Sequence, residues 1–299
     1  MILRILTALV LIPLVLLLIL RAPTPVLAIV AGVVALLAIR EFLELTRHYG
    51  IEPFSIATYM FTGVFFCLLA ATIAATRNND FALMLIMLCI GVFAGLAPFV
   101  FLALGLSRRN LSSIYPATAA SVFAFTYVAI PMSLLVTMRR DWVGEFYVIY
   151  LMLVVWSGDI FAYFVGKSLG RHKMAPRASP KKTWEGAAAS VVASVIFGTS
   201  FHHFASPIYS WLLKLHLLPT NADDWSYSKT ALWQVIGLSI VINVAAQLGD
   251  LVESAIKRGA DVKDSGAILP GHGGMLDRID AMLFAAPVLW LWVLGMRLI

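Results

Sequence analysis

Four residues at the end of the eighth apolar segment are spaced as one face of a helix. At positions i, i+3, i+4 and i+7 stand Asp250, Glu253, Ser254 and Lys257. A helix end that emerges into water with one ion pair would show the same spacing. Asp250, however, lies about one turn inside the apolar run, where a carboxylate is costly unless it is paired, ligated or facing a wet cavity. The pattern therefore favours a functional site.

A glycine-rich segment followed by acids precedes the last apolar segment. Residues 271–274 read Gly-His-Gly-Gly, and the chain continues with Asp277, Arg278 and Asp280. Glycines let a backbone approach a ligand closely, and carboxylates at i and i+3 can point the same way. Such oxygen ligands suit Mg²⁺, which binds one or two carboxylates together with substrate phosphates. A glycine turn before a helix with an acidic first turn is the alternative, and the acids alone leave both open.

A strongly basic loop, residues 167–185, follows the sixth apolar segment. Its six cations, its hydroxyl groups and the N-terminus of the helix that follows could bind phosphate. Composition alone favours the alternative, a cytoplasmic loop that contacts lipid headgroups. A P-loop is excluded, because no strand precedes residues 166–168 and the upstream glycine is missing. Asp159, inside the sixth segment, is a further site candidate because acids within a membrane are costly.

Other polar groups are assigned to the membrane interface. Arg40, Glu41 and Glu44 end the second apolar segment, and we interpret them as an interfacial group with an i,i+4 ion pair. His202 and His203, near the end of the seventh segment, are interpreted as interfacial side chains rather than metal ligands.

The composition identifies the class of protein that must position these residues. Of 299 residues, 61% are apolar and 13% are charged, and the mean hydropathy is +0.90. These values exclude a soluble globule, a disordered chain and a disulfide scaffold. The net charge of +6 is assigned to loops that face lipid headgroups and phosphorylated substrates, not to nucleic acid. Both cysteines, Cys67 and Cys89, lie inside apolar runs, so disulfide or metal chemistry is not expected.

Nine apolar segments of about 20 residues or more predict an all-α, polytopic membrane protein. They cover residues 3–20, 24–46, 54–76, 81–106, 112–137, 146–166, 186–212, 231–253 and 279–298. The first is interpreted as a retained span rather than a cleaved signal, because no small-residue cleavage site follows it. Residues 1–150 are predicted to be a scaffold, and residues 151–299 a catalytic region with charged loops at 167–185 and 254–278.

The distribution of cations predicts the orientation. With a cytoplasmic N-terminus, 15 of the 22 Lys and Arg residues fall on the cytoplasmic side. Both charged loops are then cytoplasmic, and the loop at 213–230 faces out. We expect a protein integral to the cytoplasmic membrane.

The segment 254–280, SAIKRGADVKDSGAILPGHGGMLDRID, resembles the signature of the phosphatidate cytidylyltransferases, or CDP-diacylglycerol synthases. Every fixed position of that signature is filled, by Ser254, Lys257, Arg258, Lys263, Asp264, Pro270, His272, Gly273, Gly274, Asp277, Arg278 and Asp280. Three upstream stretches resemble the family as well: Gly-Asp-Leu at 249–251, Gly-Asp at 158–159 and SPKKTWEG at 179–186. The first half matches only as a run of spans.

The resemblance implies that CTP and phosphatidate react to CDP-diacylglycerol and pyrophosphate, with a divalent metal, in a homodimer open to the cytoplasmic leaflet. It implies a centre that holds Mg²⁺, and allows a monovalent cation such as K⁺, on Asp250, Asp277 and Asp280. Phosphate neutralisation and the nucleotide pocket are then assigned to the other signature residues, Ser254, Lys257, Arg258, Lys263, Asp264, Arg278, His272, Gly273 and Gly274. Further substrate contacts are assigned to Asp159, Ser179, Lys181, Lys182, Thr183 and Glu185.

Three other classes of membrane protein remain alternatives. A transporter of an anionic solute would also carry intramembrane acids and basic loops, although the sequence shows no inverted repeat. A CDP-alcohol phosphotransferase would show the pattern D-G-x2-A-R…G-x3-D-x3-D, which is absent here. A relative that acts on another lipid phosphate stays open, whereas a purely structural scaffold does not explain the charges packed between residues 250 and 280.

Overall fold

The computed structural model describes residues 2–76, 79–140, 144–218, 230–268 and 273–298. Helices dominate, since within lipid each backbone polar group must find its partner inside its own segment. The helices are α1 (Ile2–Arg21), α2 (Thr24–His48), α3 (Ser55–Ala75), α4 (Asn79–Gly105), α5 (Ile114–Ala124), α6 (Ile130–Arg139), α7 (Gly144–Ser168), α8 (Trp184–Lys214), α9 (Leu232–Gly259) and α10 (Leu276–Leu298). Between α7 and α8 lie two strands, β1 (Lys173–Ala175) and β2 (Ser179–Thr183), and a π-helical segment, Phe125–Ala129, joins α5 to α6.

Eight helical segments are long and apolar enough to cross a membrane. They are α2, α3, α4 from Phe81, the continuous stretch Leu111–Arg139, α7, α8, α9 and α10 as far as Arg297. The apolar stretch described in α1 is shorter, Leu11–Arg21. The predicted class, an all-α polytopic membrane protein, is confirmed, whereas a ninth span at residues 3–20 stays a prediction.

The basic loop 167–185 contains a small β-hairpin that the sequence analysis did not predict. Strands β1 and β2 pair antiparallel, with Lys173 opposite Thr183. Thr183 ends β2 and caps α8, because its hydroxyl oxygen accepts a hydrogen bond from the Gly186 amide at 3.2 Å. The hairpin and the cap together fix the residues that lead into α8.

The chain forms two compact units, each discontinuous in sequence. The first comprises residues 1–8, 23–137 and 256–279, and the second comprises residues 9–22, 138–255 and 280–299. The segment 256–279 thus belongs to the first unit, although it follows the predicted boundary at residue 150. The division into a scaffold and a catalytic region stays a prediction about function.

Aromatic side chains form the core of the first unit. The ring centroid of Phe125 lies 4.9 Å from that of Phe61 and 5.4 Å from that of Phe65. Gly32 lets α2 approach α3 closely, because a Cβ atom there would lie 2.8 Å from the Cβ atom of Phe66. This packing holds α2, whose last turns contact the signature segment.

Small and polar residues pack the helices of the second unit. The side-chain amide of Asn243 in α9 donates to the hydroxyls of Ser190 and Ser194 in α8, each at 2.8 Å. Gly158 of α7 faces all three side chains. Small residues let helix backbones approach closely, and interhelical hydrogen bonds stabilise the contact in lipid. The network therefore ties α7, α8 and α9 together.

The change Gly158→Ala is expected to destabilise the second unit, because the added methyl would lie 2.3 Å from the Asn243 amide nitrogen. Relieving that overlap must shift a helix or break hydrogen bonds of Asn243, at a cost of roughly 1–3 kcal/mol. Thermal unfolding of the purified protein in detergent would measure the loss as a lower melting temperature. Gly237→Ala is the matched control, since no atom lies within 4 Å of a Cβ there. Equal shifts for both variants would contradict the packing argument.

Candidate active site

A partly buried ion pair joins the hairpin to α9 in the second unit. Lys182 of β2 donates to Asp250, with 2.6 Å between Nζ and Oδ2. The other oxygen, Oδ1, accepts a hydrogen bond from the hydroxyl of Ser254 at 3.3 Å. Lys182 directly precedes Thr183, the buried N-cap of α8. The start of α8 therefore fixes the backbone of Lys182. Asp250 thus has the cationic partner that a carboxylate in an apolar helix requires.

Gly249 brings α9 and α10 into backbone contact beside two carboxylates of the second unit. A Cβ atom at Gly249 would lie 2.6 Å from the backbone oxygen of Asp280 and 3.0 Å from the ring of Phe284. Asp280 is buried, and its Oδ1 accepts a hydrogen bond from the Ala281 amide at 2.7 Å. Asp250 directly follows Gly249, so Asp250 and Asp280 both adjoin this close approach of α9 and α10.

A second ion pair lies in the first unit, within the signature segment. Lys257 donates to Asp277 with 2.5 Å between Nζ and Oδ1, and both side chains are largely buried. The remaining oxygen, Oδ2, accepts the backbone amides of Ser265 at 3.0 Å and Gly274 at 2.8 Å. Gly273 has a φ of +78°, a conformation that glycine adopts without strain. Asp277 therefore neutralises a cation and also holds the backbone of its own segment.

Glu41 of α2 contacts the same segment, which the sequence analysis did not predict. Its side chain is buried, with 4% exposure, and its Oε2 accepts hydrogen bonds from the Ser265 hydroxyl at 3.0 Å and the Leu276 amide at 2.8 Å. Its Oε1 accepts the Met275 amide at 2.9 Å. Glu41 thus binds residues more than 220 positions away in the sequence.

Position on the helix was the one sequence signal that could have identified Glu41. Ala38 and Leu45, at i−3 and i+4, lie on the same helix face, and both are buried. An acid on such a face must be satisfied by partners from elsewhere in the fold. Glu44 is exposed and pairs with Arg47 at 3.4 Å. The interfacial interpretation stays a prediction for Glu44, whose ion pair is i,i+3 rather than the predicted i,i+4, and was wrong for Glu41.

The remaining predicted site residues differ in exposure. Six of them are exposed: Asp159, Lys181, Arg258, Lys263, Asp264 and Arg278. Ser179 is partly buried, and Glu185 pairs with His172 at 2.6 Å between Oε1 and Nδ1. Thr183 acts as a helix cap, and His272 lies outside the described residues. The structure thus pairs Lys182 with Asp250 and Lys257 with Asp277, buries Asp280, and exposes six of the other charged candidates.

The aspartates beside Gly249 are oxygen donors of the kind that Mg²⁺ binds. Within the described ranges, no group of three His, Cys, Asp or Glu side chains could by itself hold a metal ion. Mg²⁺ does not require such a cage, because it binds through one or two carboxylates and takes its other ligands from water and substrate phosphates. Asp250 and Asp280 offer two carboxylates, and the ammonium of Lys182 already approaches one of them. This donor set is chemically compatible with Mg²⁺.

Three relatives named phosphatidate cytidylyltransferase are similar to parts of the chain. The protein of Bacillus subtilis (strain 168) is 45% identical over 152 residues, 50% of this chain and 48% of the relative. That of Brucella abortus biovar 1 (strain 9-941) is 39% identical over 175 residues, 58% of this chain and 56% of the relative. That of Staphylococcus aureus (strain COL) is 35% identical over 191 residues, 64% of each chain. The three alignments span less than two thirds of the relatives' lengths.

A family-level comparison covers nearly the whole chain. The sequence model described as "Cytidylyltransferase family" matches residues 2–295. The match contains both lysine–aspartate pairs, Glu41 and the segment that Glu41 contacts. On this evidence the chain belongs to the cytidylyltransferase family.

Proposed function

We propose that the protein is a phosphatidate cytidylyltransferase, which transfers the cytidylyl group of CTP to phosphatidate and releases pyrophosphate. Family membership and the names of the relatives support this reaction class. The observation that carries the proposal is that Lys182 and Lys257 each contact an aspartate of the matching motifs, Asp250 and Asp277. Cations held in place by carboxylates suit a reaction between a triphosphate and a phosphate monoester.

The proposed reaction is an in-line displacement at the α-phosphorus of CTP. A phosphate oxygen of phosphatidate forms the new P–O bond. The bond between the α-phosphorus and the bridging oxygen breaks, and pyrophosphate leaves with the electron pair. Phosphatidate is already anionic near pH 7, so no general base is required. The protein contributes positioning and charge neutralisation, which account for most of the catalysis in such transfers.

Cations of the chain neutralise phosphate oxygens of both substrates in this proposal. Lys182 and Lys257 can each contact a phosphate without leaving their aspartates, because an ammonium group has three donors. Lys181 extends the phosphate-binding surface of the hairpin, while Thr183 acts through the cap of α8. Further phosphate contacts come from Arg258, Lys263 and Arg278, and His272, Gly273 and Gly274 shape the nucleotide pocket.

A metal centre is part of the proposal. Mg²⁺, when bound, supplies positive charge at the triphosphate. Asp250, Asp277 and Asp280 are the residues that would hold it, and a monovalent cation such as K⁺ could share the centre. Asp277 already accepts three hydrogen bonds, which leaves at most about one of its roughly four lone-pair positions for a metal. Asp250 and Asp280 are therefore the principal candidates.

The proposal also includes a cytoplasmic site and a homodimer. The excess of cations on one set of loops supports a cytoplasmic N-terminus and a cytoplasmic hairpin. Phosphatidate would then reach the site sideways from the cytoplasmic leaflet. The homodimer rests on the family resemblance.

A turnover assay tests the reaction. Protein purified in detergent is expected to release pyrophosphate only when CTP, phosphatidate and Mg²⁺ are all present, with K⁺ supplied throughout. Asp280→Asn should lower turnover by about two orders of magnitude or more while membrane insertion stays intact, because charge stabilisation at phosphate is lost.

Asp261→Asn is the matched control for this variant. Asp261 is exposed and has a φ of +55°, a conformation that asparagine also tolerates. Its turnover should equal that of the unmodified protein. Near-normal turnover of Asp280→Asn at saturating Mg²⁺ would contradict the metal assignment. An absence of release with phosphatidate of several chain lengths would favour another lipid phosphate as substrate.

Lys182→Ala is expected to raise the apparent KM of one substrate on the order of tenfold, because a charge-assisted contact to phosphate is removed. Initial rates measured against CTP and against phosphatidate would identify which substrate is affected. Lys173→Ala, an exposed cation of the same hairpin, serves as the control. Unchanged KM values for both substrates in Lys182→Ala would remove the hairpin from the proposed site.

The orientation can be measured at the two ends of α8. The helix is long and apolar enough to cross a membrane, so Arg177 in the hairpin and Lys214 at its other end should lie on opposite sides. In a background without Cys67 and Cys89, Lys214→Cys should react with an impermeant maleimide in intact cells. Arg177→Cys should react only after the membrane is opened. The reverse pattern would overturn the proposed orientation.

A further inference from the structure

Glu41 is a buried acid whose role the proposed reaction does not explain. It lies on α2, far in sequence from the signature, yet its carboxylate is 4% exposed and accepts three hydrogen bonds from residues of the signature segment. Two of these donors are the backbone amides of Met275 and Leu276, which stand at the start of α10. Glu41 therefore acts as an N-terminal cap that is supplied by another helix.

Two carboxylates, those of Glu41 and Asp277, bind the same short segment. Glu41 accepts the hydroxyl of Ser265, and Asp277 accepts the amide of that residue at 3.0 Å. Asp277 also accepts the amide of Gly274 at 2.8 Å, directly before the amides that Glu41 binds. Two carboxylates therefore accept hydrogen bonds from this segment, one from α2 and one from the segment itself.

Two glycines of the segment lie directly against the Glu41 carboxylate. A Cβ atom at Gly266 would lie 2.5 Å from one carboxylate oxygen, and a Cβ atom at Gly274 would lie 2.3 Å from the other. Any larger residue at either position would push the segment away from Glu41. The contact between Glu41 and the segment therefore requires glycine at both positions.

The contacts also indicate what Glu41 does not do. Both of its oxygens face donors of the protein itself, and its burial keeps it from touching a substrate. We propose that Glu41 is a positioning residue, which fixes the start of α10 and thereby the positions of Arg278 and of Asp277, the partner of Lys257. This inference rests on the proposed function for its catalytic consequence, but not for the contact itself.

The test compares Glu41→Gln with Glu44→Gln. Glutamine keeps the shape, but its amide nitrogen cannot accept a hydrogen bond, so at least one donor of the segment loses its partner. Glu44 lies one turn along the same helix, is exposed and serves as the matched control. Backbone hydrogen exchange of the peptide 273–280 is expected to be about tenfold faster in Glu41→Gln and unchanged in Glu44→Gln.

Kinetics separate positioning from a loss of folded protein. In Glu41→Gln, kcat should fall on the order of tenfold and the KM of CTP should rise several-fold. A lower fraction of folded enzyme would reduce kcat and leave KM unchanged, and that result would overturn the positioning role. Exchange and KM values equal to those of Glu44→Gln would overturn it as well.

Ser265→Ala keeps the test decisive if Glu41→Gln does not fold. This change removes one of the three donors, so it should shift exchange and the KM of CTP in the same direction by a smaller factor, and unchanged values would overturn the proposal. If the unmodified protein shows no turnover, the proposed function fails. Hydrogen exchange then decides alone whether Glu41 holds the segment, because faster exchange supports the contact and unchanged exchange overturns it.

Discussion

A carboxylate within or beside lipid needs a counter-charge or several hydrogen-bond donors, and the polar part of this structure follows from that requirement. Asp250 meets Lys182 at 2.6 Å, and Asp277 meets Lys257 at 2.5 Å. The Glu41 carboxylate accepts hydrogen bonds from three donors of the signature segment. Removing one member of a buried pair leaves an uncompensated charge, which is strongly destabilising. The need for partners therefore decides which distant segments must fold against these helices.

In the proposed function, the same ion pairs prepare the chain for phosphate chemistry. A lysine whose ammonium group already contacts an aspartate loses little side-chain conformational entropy when it binds a phosphate. Its charge also acts with less screening in a partly buried position than it would in bulk water. Fixed donors of this kind require little reorganisation during the reaction, which is the main source of electrostatic catalysis. The ion pairs that make the acids tolerable near lipid are thus also suited to bind a triphosphate.

The sequence predicted the features that depend on local spacing. Long apolar runs fix the helices, because a membrane span has a minimum length, and eight of the nine predicted spans have helices of that kind. Helical periodicity placed Asp250 and Lys257 on one face. It could not give their partners, since Lys182 and Asp277 belong to other segments. The hairpin was missed because its strands are short and polar and include Pro180. Glu41 was missed because its partners are remote in sequence.

The contacts also distinguish Asp277 from Asp280, two acids that the signature segment alone does not separate, and both of them from Glu41. Asp277 holds two backbone amides as well as Lys257, so its replacement would loosen the segment and remove a charge at once. A loss of turnover in Asp277→Asn would therefore not separate chemistry from local structure. Asp280 accepts the amide of Ala281 on its own helix, and its replacement leaves the contacts between Glu41 and the segment in place. Glu41, by contrast, accepts hydrogen bonds from the signature segment, and in the proposal it affects the reaction through the start of α10. In the proposed function, Glu41 supports the segment, Asp280 is a candidate metal ligand, and Asp277 combines both roles.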